Sequence, residues 1–292
     1  MTAEILDGKA IAATERERIA VEVAELKAQG ITPGLAAVLV GDDPASHIYV
    51  GMKHRDCQAV GMESRVIELP ATVSQRELLD HVAALNTDDS IDGIIVQLPL
   101  PEGLDAYSVQ EELEPTKDVD ALHPYTAGRL AGGRPTFYSA TPYGVIRILE
   151  HAGIETAGRN VVIVGRSNLV GRPLATMLSL KGRDATVTLA HSRTPDLAGV
   201  CRGADILIAA VGVPHLIGAD MVKPGAVVID VGTNRIDDNR LVGDVDFDAV
   251  VEVAGAITPV PGGVGPMTRT MLLQNTLEAA RARRGLPRRH QP

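Results

Sequence analysis

The sequence has no tryptophan, only two phenylalanines and five tyrosines. A core without large aromatic side chains has to be built from Val, Ile, Leu and Ala. Cysteine is almost as scarce, with Cys57 and Cys201 alone. Two cysteines so far apart make neither a disulfide framework nor a zinc site, and a reducing, cytoplasmic setting is the expectation. Positive charge is in deficit: 28 Lys and Arg stand against 37 Asp and Glu, a formal net charge of −9. That balance argues against nucleic acid and against an anionic membrane surface as partners, because both demand clustered positive charge. Long apolar runs are missing too. Runs such as Ile206 to Val213 fall far short of a bilayer span. The N-terminal MTAEILDGKAIAATERERIA has no apolar stretch behind a basic flank, so no signal peptide is expected. One basic run does occur, Arg281 to Arg289 followed by His290. At the terminus and beside Gly285 and Pro287, it is expected to be a solvated tail.

What is present is an alternation of strand and helix signals over 292 residues, enough for two domains of roughly 150 residues each. Lys9 to Gln29 reads as an amphipathic helix ending at Gly30. Leu35 to Val40 is a buried strand, Asp42-Asp43-Pro44 opens a helix running to Val60, and Met62 to Leu69 is strand-like. Ser74 with Glu77 three residues on is a capping-box pattern before a helix to Asn86. Gly93-Ile94-Ile95-Val96 is another buried strand. After a loop-rich stretch from Pro115 to Pro142, a helix to His151 leads into a second alternation. Its strands are Asn160–Val164, Thr186–Ala190, Asp205–Ala210 and Ala226–Val231, with a helix over Val170–Lys181. Pro173 sits in the first turn of that helix, where its missing N–H does no harm. A last helix covers Met267 to Arg284. The fold class is α/β: two α/β domains with parallel sheets, the C-terminal one a Rossmann-like dinucleotide-binding domain. The expected domains are 1–141 and 142–265, with the helix 266–285 packing back on the first.

The most informative stretch is Asn160-Val-Val-Ile-Val-Gly165-Arg166-Ser167-Asn-Leu-Val-Gly171-Arg-Pro. A strand meets a helix through a glycine-bearing turn, which lets backbone N–H groups approach a pyrophosphate. The usual pattern is G-x-G-x-x-G; here Ser167 takes the second place and the last glycine comes one position late. Read alone, the loop is equally a glycine turn without a ligand. The next strand ends in His191-Ser192-Arg193-Thr194, with no acidic residue for ribose hydroxyls. Arg and Ser side chains there suit a 2′-phosphate, which favours NADP over NAD.

In the first domain, Tyr49 and Lys53 share a helix face at i and i+4. A phenol beside an amine suits proton transfer, and it equally suits an ordinary exposed face. The same Tyr-x-x-x-Lys spacing occurs in short-chain dehydrogenases, but there the glycine loop comes first, and the order here is reversed. Gln97 ends an apolar strand in Ile94-Ile-Val-Gln-Leu98-Pro99-Leu-Pro101, at the carboxyl edge where α/β sheets hold ligands. Asp118-Val-Asp120-Ala-Leu-His123 follows, where a carboxylate either caps a loop or holds a heterocycle through its N–H donors. Finally Thr258-Pro-Val-Pro261-Gly262-Gly263-Val-Gly265-Pro266-Met-Thr268 is a fixed loop of glycines and prolines, suited to close backbone approach.

Together these blocks are similar to the bifunctional methylenetetrahydrofolate dehydrogenase/cyclohydrolase family. The resemblance runs from Leu6-Asp-Gly-Lys9 to the helix after Thr268. It is carried, in family order, by Ser46-x-x-Tyr49-x-x-x-Lys53, Asp92-Gly-Ile-Ile-Val-Gln97-Leu-Pro-Leu-Pro101, Lys117-Asp-Val-Asp120, Gly165-Arg-Ser167-x-x-Val-Gly171-x-Pro173, Val228-Ile-Asp-Val-Gly232 and Thr258-Pro-Val-Pro-Gly-Gly-Val-Gly-Pro-Met-Thr268. The resemblance implies that 5,10-methylenetetrahydrofolate is oxidised with NADP to the methenyl cation, which water opens to 10-formyltetrahydrofolate. It implies Lys53 as the key catalytic residue, Gln97 hydrogen-bonded to it and Tyr49 orienting the site. Substrate contacts would come from Tyr49, Lys53, Gln97, Leu98, Pro99, Asp120, Pro261 and Gly265, with Asp120 on the pterin. NADP would be held by Gly165, Arg166, Ser167, Ser192 and Thr233. No metal is implied, and His47, His54, His123 and Cys57 form no ligand cluster by spacing. Family members are usually homodimers serving purine, histidine and methionine synthesis.

Four positions depart from the family pattern. Ala121 stands where Gly usually follows the Asp, Ala140 where Cys is usual, Thr233 where Ile is usual, and Arg269 where a small apolar residue is common. None removes a catalytic group. Two other readings stand beside this one. A two-domain dehydrogenase of the amino-acid or shikimate type explains the architecture but not Gln97-Leu-Pro-Leu-Pro. An NADP-sensing module would need neither Lys53 nor Gln97.

Overall fold

Strands and helices alternate along the chain, as the periodicity predicts, in a computed structural model that describes residues 2–236 and 240–290. The strands are β1 (Glu4–Ile5), β2 (Gly34–Val40), β3 (Glu63–Leu69), β4 (Gly93–Val96), β5 (Asn160–Val164), β6 (Thr186–Ala190), β7 (Ile206–Ala209), β8 (Val227–Asp230), β9 (Asn234–Arg235), β10 (Leu241–Val242) and β11 (Ala256–Ile257). The helices are α1 (Gly8–Lys27), α2 (Pro44–Ala59), α3 (Gln75–Thr87), α4 (Ala106–Glu112), α5 (Pro124–Ala131), α6 (Ala140–His151), α7 (Gly171–Ser179), α8 (Leu197–Arg202), α9 (Phe247–Val250) and α10 (Val264–Arg283). Among the described residues, no helix is long and apolar enough to cross a membrane.

The chain divides into two compact units, Thr14–Ala140 with Arg269–Pro292, and Met1–Ala13 with Thr141–Thr268. The sequence reading gives residues 1–13 to the first domain. They group with the second because β1 pairs in parallel with β11, Glu4 opposite Ala256 and Ile5 opposite Ile257. Two-residue strands carry no period, so this pairing leaves no pattern in the sequence.

The first unit holds a three-stranded parallel sheet in the order β3-β2-β4. All of β2, Gly-Leu-Ala-Ala-Val-Leu-Val, is buried, as a central parallel strand requires of a run without a polar face. Leu78, Val82 and Leu85 of α3 pack with Ala36, Val38, Val40 and Ile94. The capping box forms: Glu77 N donates to Ser74 Oγ at 3.2 Å and Ser74 N to Glu77 Oε2 at 2.9 Å, which satisfies two orphan donors at once. At the other end of α3, the fully buried Lys117 donates from Nζ to Leu85 O at 2.8 Å and to Asp88 O at 2.7 Å. A cation there adds a donor to carbonyls at the helix C-terminus, where the helix dipole favours positive charge. α10 packs on β4 so closely that a Cβ on Gly93 would lie 2.8 Å from Val119 and 3.0 Å from Thr276. Asn275 of α10 donates to Val119 O at 2.7 Å and Tyr138 O at 2.8 Å.

The loop-rich stretch from Pro115 to Pro142 also holds α5, which begins at Pro124, its N-cap His123 accepting Tyr125 N on Nδ1 at 2.8 Å. One expectation is corrected in this unit: the basic run from Arg281 is docked rather than solvated. Arg281 pairs with Glu22 at 3.1 Å, and His290 Nε2 lies 2.8 Å from Glu22 Oε1. The backbone N–H groups of Arg289 and His290 donate to Glu278 at 3.1 and 3.2 Å. The Arg288 guanidinium stacks 4.8 Å over the Phe137 ring and donates to Thr136 O. The cause is Glu22 and Glu278, only 5% and 2% exposed: buried carboxylates need partners, and the tail supplies them. Burial pushes the Glu22 carboxyl up, yet His290, Arg18 and Arg281 together hold it below its ordinary value. Glu22, Glu278 and His290 come within 4.8 Å of one another, but Arg18, at 2.7 Å from Glu22, and Arg281 already supply the positive charge.

The second unit is a six-stranded, wholly parallel sheet in the order β1-β11-β8-β7-β5-β6. Its core is aliphatic, built from residues such as Val162, Val164, Leu207, Ala209 and Val228. From β5 the chain steps one way to β6 and then back past it to β7. That reversal is the switch point where an open α/β sheet leaves a crevice at the carboxyl ends of its strands.

Candidate active site

In the first unit, the site grows from the carboxyl edge of β4. Gln97 follows Val96 and is pinned there by its own backbone, Gln97 N donating to Val38 O at 2.9 Å. Its side-chain amide is oriented as well. Nε2 donates to Leu98 O at 2.7 Å, which leaves Oε1 to accept Lys53 Nζ at 3.0 Å. Lys53 comes from α2, whose start is set by the Asp43 N-cap, accepting Ser46 N at 2.8 Å, and by Pro44. Tyr49 lies one turn before Lys53 and Cys57 one turn after. Burial pushes the Cys57 thiol up to about 12, so it is an inert apolar neighbour.

Asp120 completes this group. It stands in a turn held by the buried Asp118, which accepts Leu122 N at 3.1 Å and His123 N at 2.9 Å. Burial lowers the Lys53 amine below the usual lysine range; the charge of Asp120 offsets part of that, and the charge of Arg269 adds to it. Burial likewise raises the Asp120 carboxyl, with Lys53 and the Ala140 backbone N–H opposing. The result is an amine with weakened hold on its proton, pointed by an amide and acted on by a buried carboxyl group, an arrangement that suits proton transfer.

Two of the family departures find a physical setting here. Ala121 has φ +57°, a left-handed conformation that glycine adopts freely and alanine does not. Arg269 pairs with Asp56 at 2.7 Å, one turn along α2 from Lys53.

In the second unit, the carboxyl edge of the sheet carries the glycine loop. Gly165 has φ +125°, and a Cβ there would lie 2.1 Å from Ala210 O. A Cβ on Gly171 would lie 2.1 Å from Gly165 O. Both glycines are therefore demanded by the turn itself, and the Ser167 position is not: Ser167 Oγ accepts Val170 N at 3.1 Å. α7 starts at Gly171 with no side-chain cap; Arg172 N donates to Ser167 O at 3.1 Å and Pro173 has no N–H, so Gly171 N is the amide of its first turn that can face an anion. β6 pairs with β5 in register, Val164 opposite Ala190, which sets the 191–194 turn next to the glycine loop. There His191 N donates to Thr194 Oγ1 at 2.9 Å and Arg193 N to His191 Nδ1 at 3.1 Å. Arg166, Ser167, Ser192, Arg193 and Thr233 are all exposed along this edge. These groups fit a phosphorylated dinucleotide: closely approaching glycines at the start of a helix, and guanidinium groups without a competing carboxylate at the β6 end.

A pair of buried carboxylates, which the sequence reading missed, holds the rest of the edge. Asp244 accepts Val211 N at 2.6 Å, Gly212 N at 3.0 Å and Val213 N at 3.0 Å, fixing the loop after β7. Asp230, at the end of β8, accepts Gly232 N at 2.9 Å, Asp244 N at 3.0 Å and Val245 N at 3.0 Å. Burial pushes its carboxyl up to about 6. The signal available was Asp230 itself, a charged residue closing an apolar strand in Val228-Ile-Asp-Val-Gly232. Pro261 and Gly265 belong to this unit as well, on a loop clamped to the start of α1: Lys9 N donates to Gly262 O at 2.8 Å, and a Cβ on Gly8 would lie 1.9 Å from Gly263 O. That clamp explains why Leu6-Asp-Gly-Lys9 accompanies the loop. Lys53, Gln97 and Asp120 are thus brought together in one unit, and Gly165, Arg166, Ser167, Ser192 and Thr233 along one sheet edge in the other.

Residues 6–120 match the tetrahydrofolate dehydrogenase/cyclohydrolase catalytic-domain family, and residues 139–284 match the NAD(P)-binding domain of the same family. The chain belongs to that family. It is 56% identical over 281 residues to the bifunctional protein FolD of Geobacillus thermodenitrificans, covering 96% of this chain and 98% of that one. Among solved structures, the bifunctional FolD methylenetetrahydrofolate dehydrogenase/cyclohydrolase of Campylobacter jejuni superposes with a TM-score of 0.94 at 45% identity, covering 96% and 99% of the two chains. The Trypanosoma brucei dehydrogenase-cyclohydrolase, complexed with NADP cofactor and inhibitor, does so with a TM-score of 0.94 at 39% identity, covering 97% and 99%.

Proposed function

We propose that this protein is a bifunctional enzyme of one-carbon metabolism. It oxidises 5,10-methylenetetrahydrofolate to 5,10-methenyltetrahydrofolate with NADP, then hydrolyses that cation to 10-formyltetrahydrofolate. The observation that carries the proposal is the Lys53–Gln97 hydrogen bond at 3.0 Å, with Asp120 acting on the same amine. Residues 14–140 with α10 supply the folate chemistry, and residues 142–265 hold the cofactor.

NADP, when bound, would supply the acceptor for the hydride of the one-carbon bridge. Gly165 and Ser167 would hold its pyrophosphate through backbone groups, Arg166 and Ser192 its 2′-phosphate, and Thr233 would lie by its nicotinamide. Hydride loss moves no proton at the reacting carbon, so the chain has only to orient the folate there. Asp120 does so by accepting N–H donors of the pterin, and Tyr49, Leu98 and Pro99 line the ring. The methenyl product is already an electrophilic cation, so its hydrolysis needs only positioning and proton removal. Water attacks the methenyl carbon while Lys53, as the free amine, takes one of its protons. The carbon–N5 bond then breaks as the formyl C=O forms, the hydroxyl proton passes to N5, and the first proton leaves through Lys53. Gln97 fixes where the amine points. The same reading makes the protein a cytoplasmic homodimer that serves purine, histidine and methionine synthesis.

The test is NADP reduction with methylenetetrahydrofolate, followed by spectroscopic detection of the methenyl product. NADP reduction that depends on the folate is expected; none at micromolar enzyme would sink the assignment.

A further inference from the structure

In the second unit, the loop after β7 stands clear of the core. Every residue from Gly212 to Leu216 is exposed, the large apolar Val213 and Leu216 among them. The loop is also strained: His215, not a glycine, stands at φ +55°, where a side chain crowds the following carbonyl. It abuts the glycine loop, because a Cβ on Gly165 would strike Ala210 O. Its hydrogen bonds run to Gly243 and Asp244. His215 N donates to Gly243 O at 3.3 Å, and Ile217 N to Asp244 O at 3.0 Å. The Asp244 carboxylate does more: Oδ2 accepts Val211 N at 2.6 Å and Gly212 N at 3.0 Å, and Oδ1 accepts Val213 N at 3.0 Å and Asn234 Nδ2 at 2.9 Å. Three successive N–H groups turned to one point form an anion nest, and here the chain fills it with its own carboxylate. Asp230 in turn fixes Asp244, accepting Asp244 N and Val245 N, each at 3.0 Å. A Cβ on Gly232 would collide with the Asp244 carboxylate, and one on Gly243 with that of Asp230, so the backbone closes over both.

We propose that Asp244 is a positioning residue for the nicotinamide half of the cofactor: its carboxylate holds the loop after β7 in the one shape that half can bind against. This rests on the assignment above of Arg166 and Ser192 to the 2′-phosphate and of Thr233 to the nicotinamide. The sheet order puts the carboxyl ends of β6, β5, β7 and β8 in a row. Ser192 follows β6, the glycine loop follows β5 and Thr233 follows β8. A dinucleotide laid along those points would cross the end of β7 between its pyrophosphate and its nicotinamide. The three nest amides are already taken by Asp244, so the loop serves the cofactor by its shape and not by holding a phosphate. Each Asp244 oxygen accepts two N–H donors. An asparagine there sets its NH2 against two donors whichever way it turns.

The test is calorimetric titration with NADP and with adenosine 2′,5′-bisphosphate, which carries the 2′-phosphate and one phosphate of the pyrophosphate but no nicotinamide. The proteins are the wild type, Asp244→Asn, Asn234→Ala and a control, Asp205→Asn, all held below their melting ranges. Asp205 lies at the other end of β7, where it accepts Asn160 N at 3.0 Å and pairs with Lys223 at 2.7 Å. Asp244→Asn should weaken NADP about 10-fold, as when the binding shape falls to about a tenth of the molecules, and leave the bisphosphate near its wild-type affinity. Asn234→Ala removes one donor and no charge, and should show the same split at a smaller size. Asp205→Asn should leave both ligands unchanged. NADP affinity kept in both Asp244→Asn and Asn234→Ala overturns the proposal, and so does an equal loss for the two ligands. If Asp244→Asn does not fold, Asn234→Ala decides. If the wild type binds NADP but not the bisphosphate, the 2′-phosphate assignment falls, and the NADP titrations then decide the role of Asp244 by themselves.

Discussion

The two sheet edges that carry the proposed site residues are built in opposite ways. At β4 in the first unit, chemistry is set by side chains and burial: a lysine amine weakened by desolvation, aimed by an amide whose other end is tied to Leu98 O at 2.7 Å. At β5 in the second unit, it is set by backbone. Gly165 and Gly171 leave no space for a Cβ, the α7 amides lack a side-chain cap, and the polar side chains lie exposed. A burial-tuned site is sensitive to a change of charge, whereas a backbone-built site is sensitive to a change of shape.

That contrast is sharpest at Lys53. Lys53→Met keeps the length and removes the base, and a lost general base costs about 10²–10⁴-fold. Cyclohydrolase activity should fall by that factor while part of the dehydrogenase activity survives, with methenyltetrahydrofolate accumulating. Full hydrolysis in Lys53→Met would assign the base elsewhere. The counterpart in the second unit is Gly171→Ala, one methyl group added and no charge changed. With 2.1 Å to Gly165 O, it should cost about 1–3 kcal/mol in unfolding and weaken NADP with it; an unshifted melting midpoint and NADP affinity would mean the loop has room. Arg166→Ala tests a side chain on the backbone-built edge. It should weaken NADP by roughly 10- to 100-fold and NAD by less, and equal losses would place the 2′-phosphate elsewhere. The smallest effect belongs to Ala121→Gly, which relieves a left-handed alanine at φ +57°. Relief of the left-handed strain should exceed the entropy gained by the freer unfolded chain, raising stability in denaturant titration by up to about 1 kcal/mol. Destabilisation would show that the Ala121 side chain holds the Asp120 turn.

The comparison also separates what was legible in the sequence from what was not. β5 and β6 coincide with the strands expected from their apolar runs, and the Ser74 capping box forms as its spacing implies. The glycine loop was legible because a backbone-built site writes itself in consecutive residues. The Lys53–Gln97 contact spans 44 residues, and only the resemblance to a known family joined the two. Local pattern failed wherever a buried charge recruits a distant partner. The tail from Arg281 to His290 reads as solvated because Glu22 lies 268 residues away from His290. Lys117 and Asp244 carry no local sign of the backbone groups they hold at the end of α3 and after β7.

The central claim is that hydrolysis runs on the free amine of Lys53, with its proton affinity held down by burial and held up by Asp120. The most direct measurement is the pH dependence of cyclohydrolase kcat, at saturating methenyltetrahydrofolate and after subtraction of spontaneous hydrolysis, for the wild type and Asp120→Asn. In the wild type, the rate should rise with pH along a limb lying below the ordinary lysine range, as a desolvated amine loses its proton. Asp120→Asn removes the charge that favours the protonated amine, so that limb should move to lower pH. A limb at the usual lysine pH, or one that stays put or moves upward in Asp120→Asn, would contradict it.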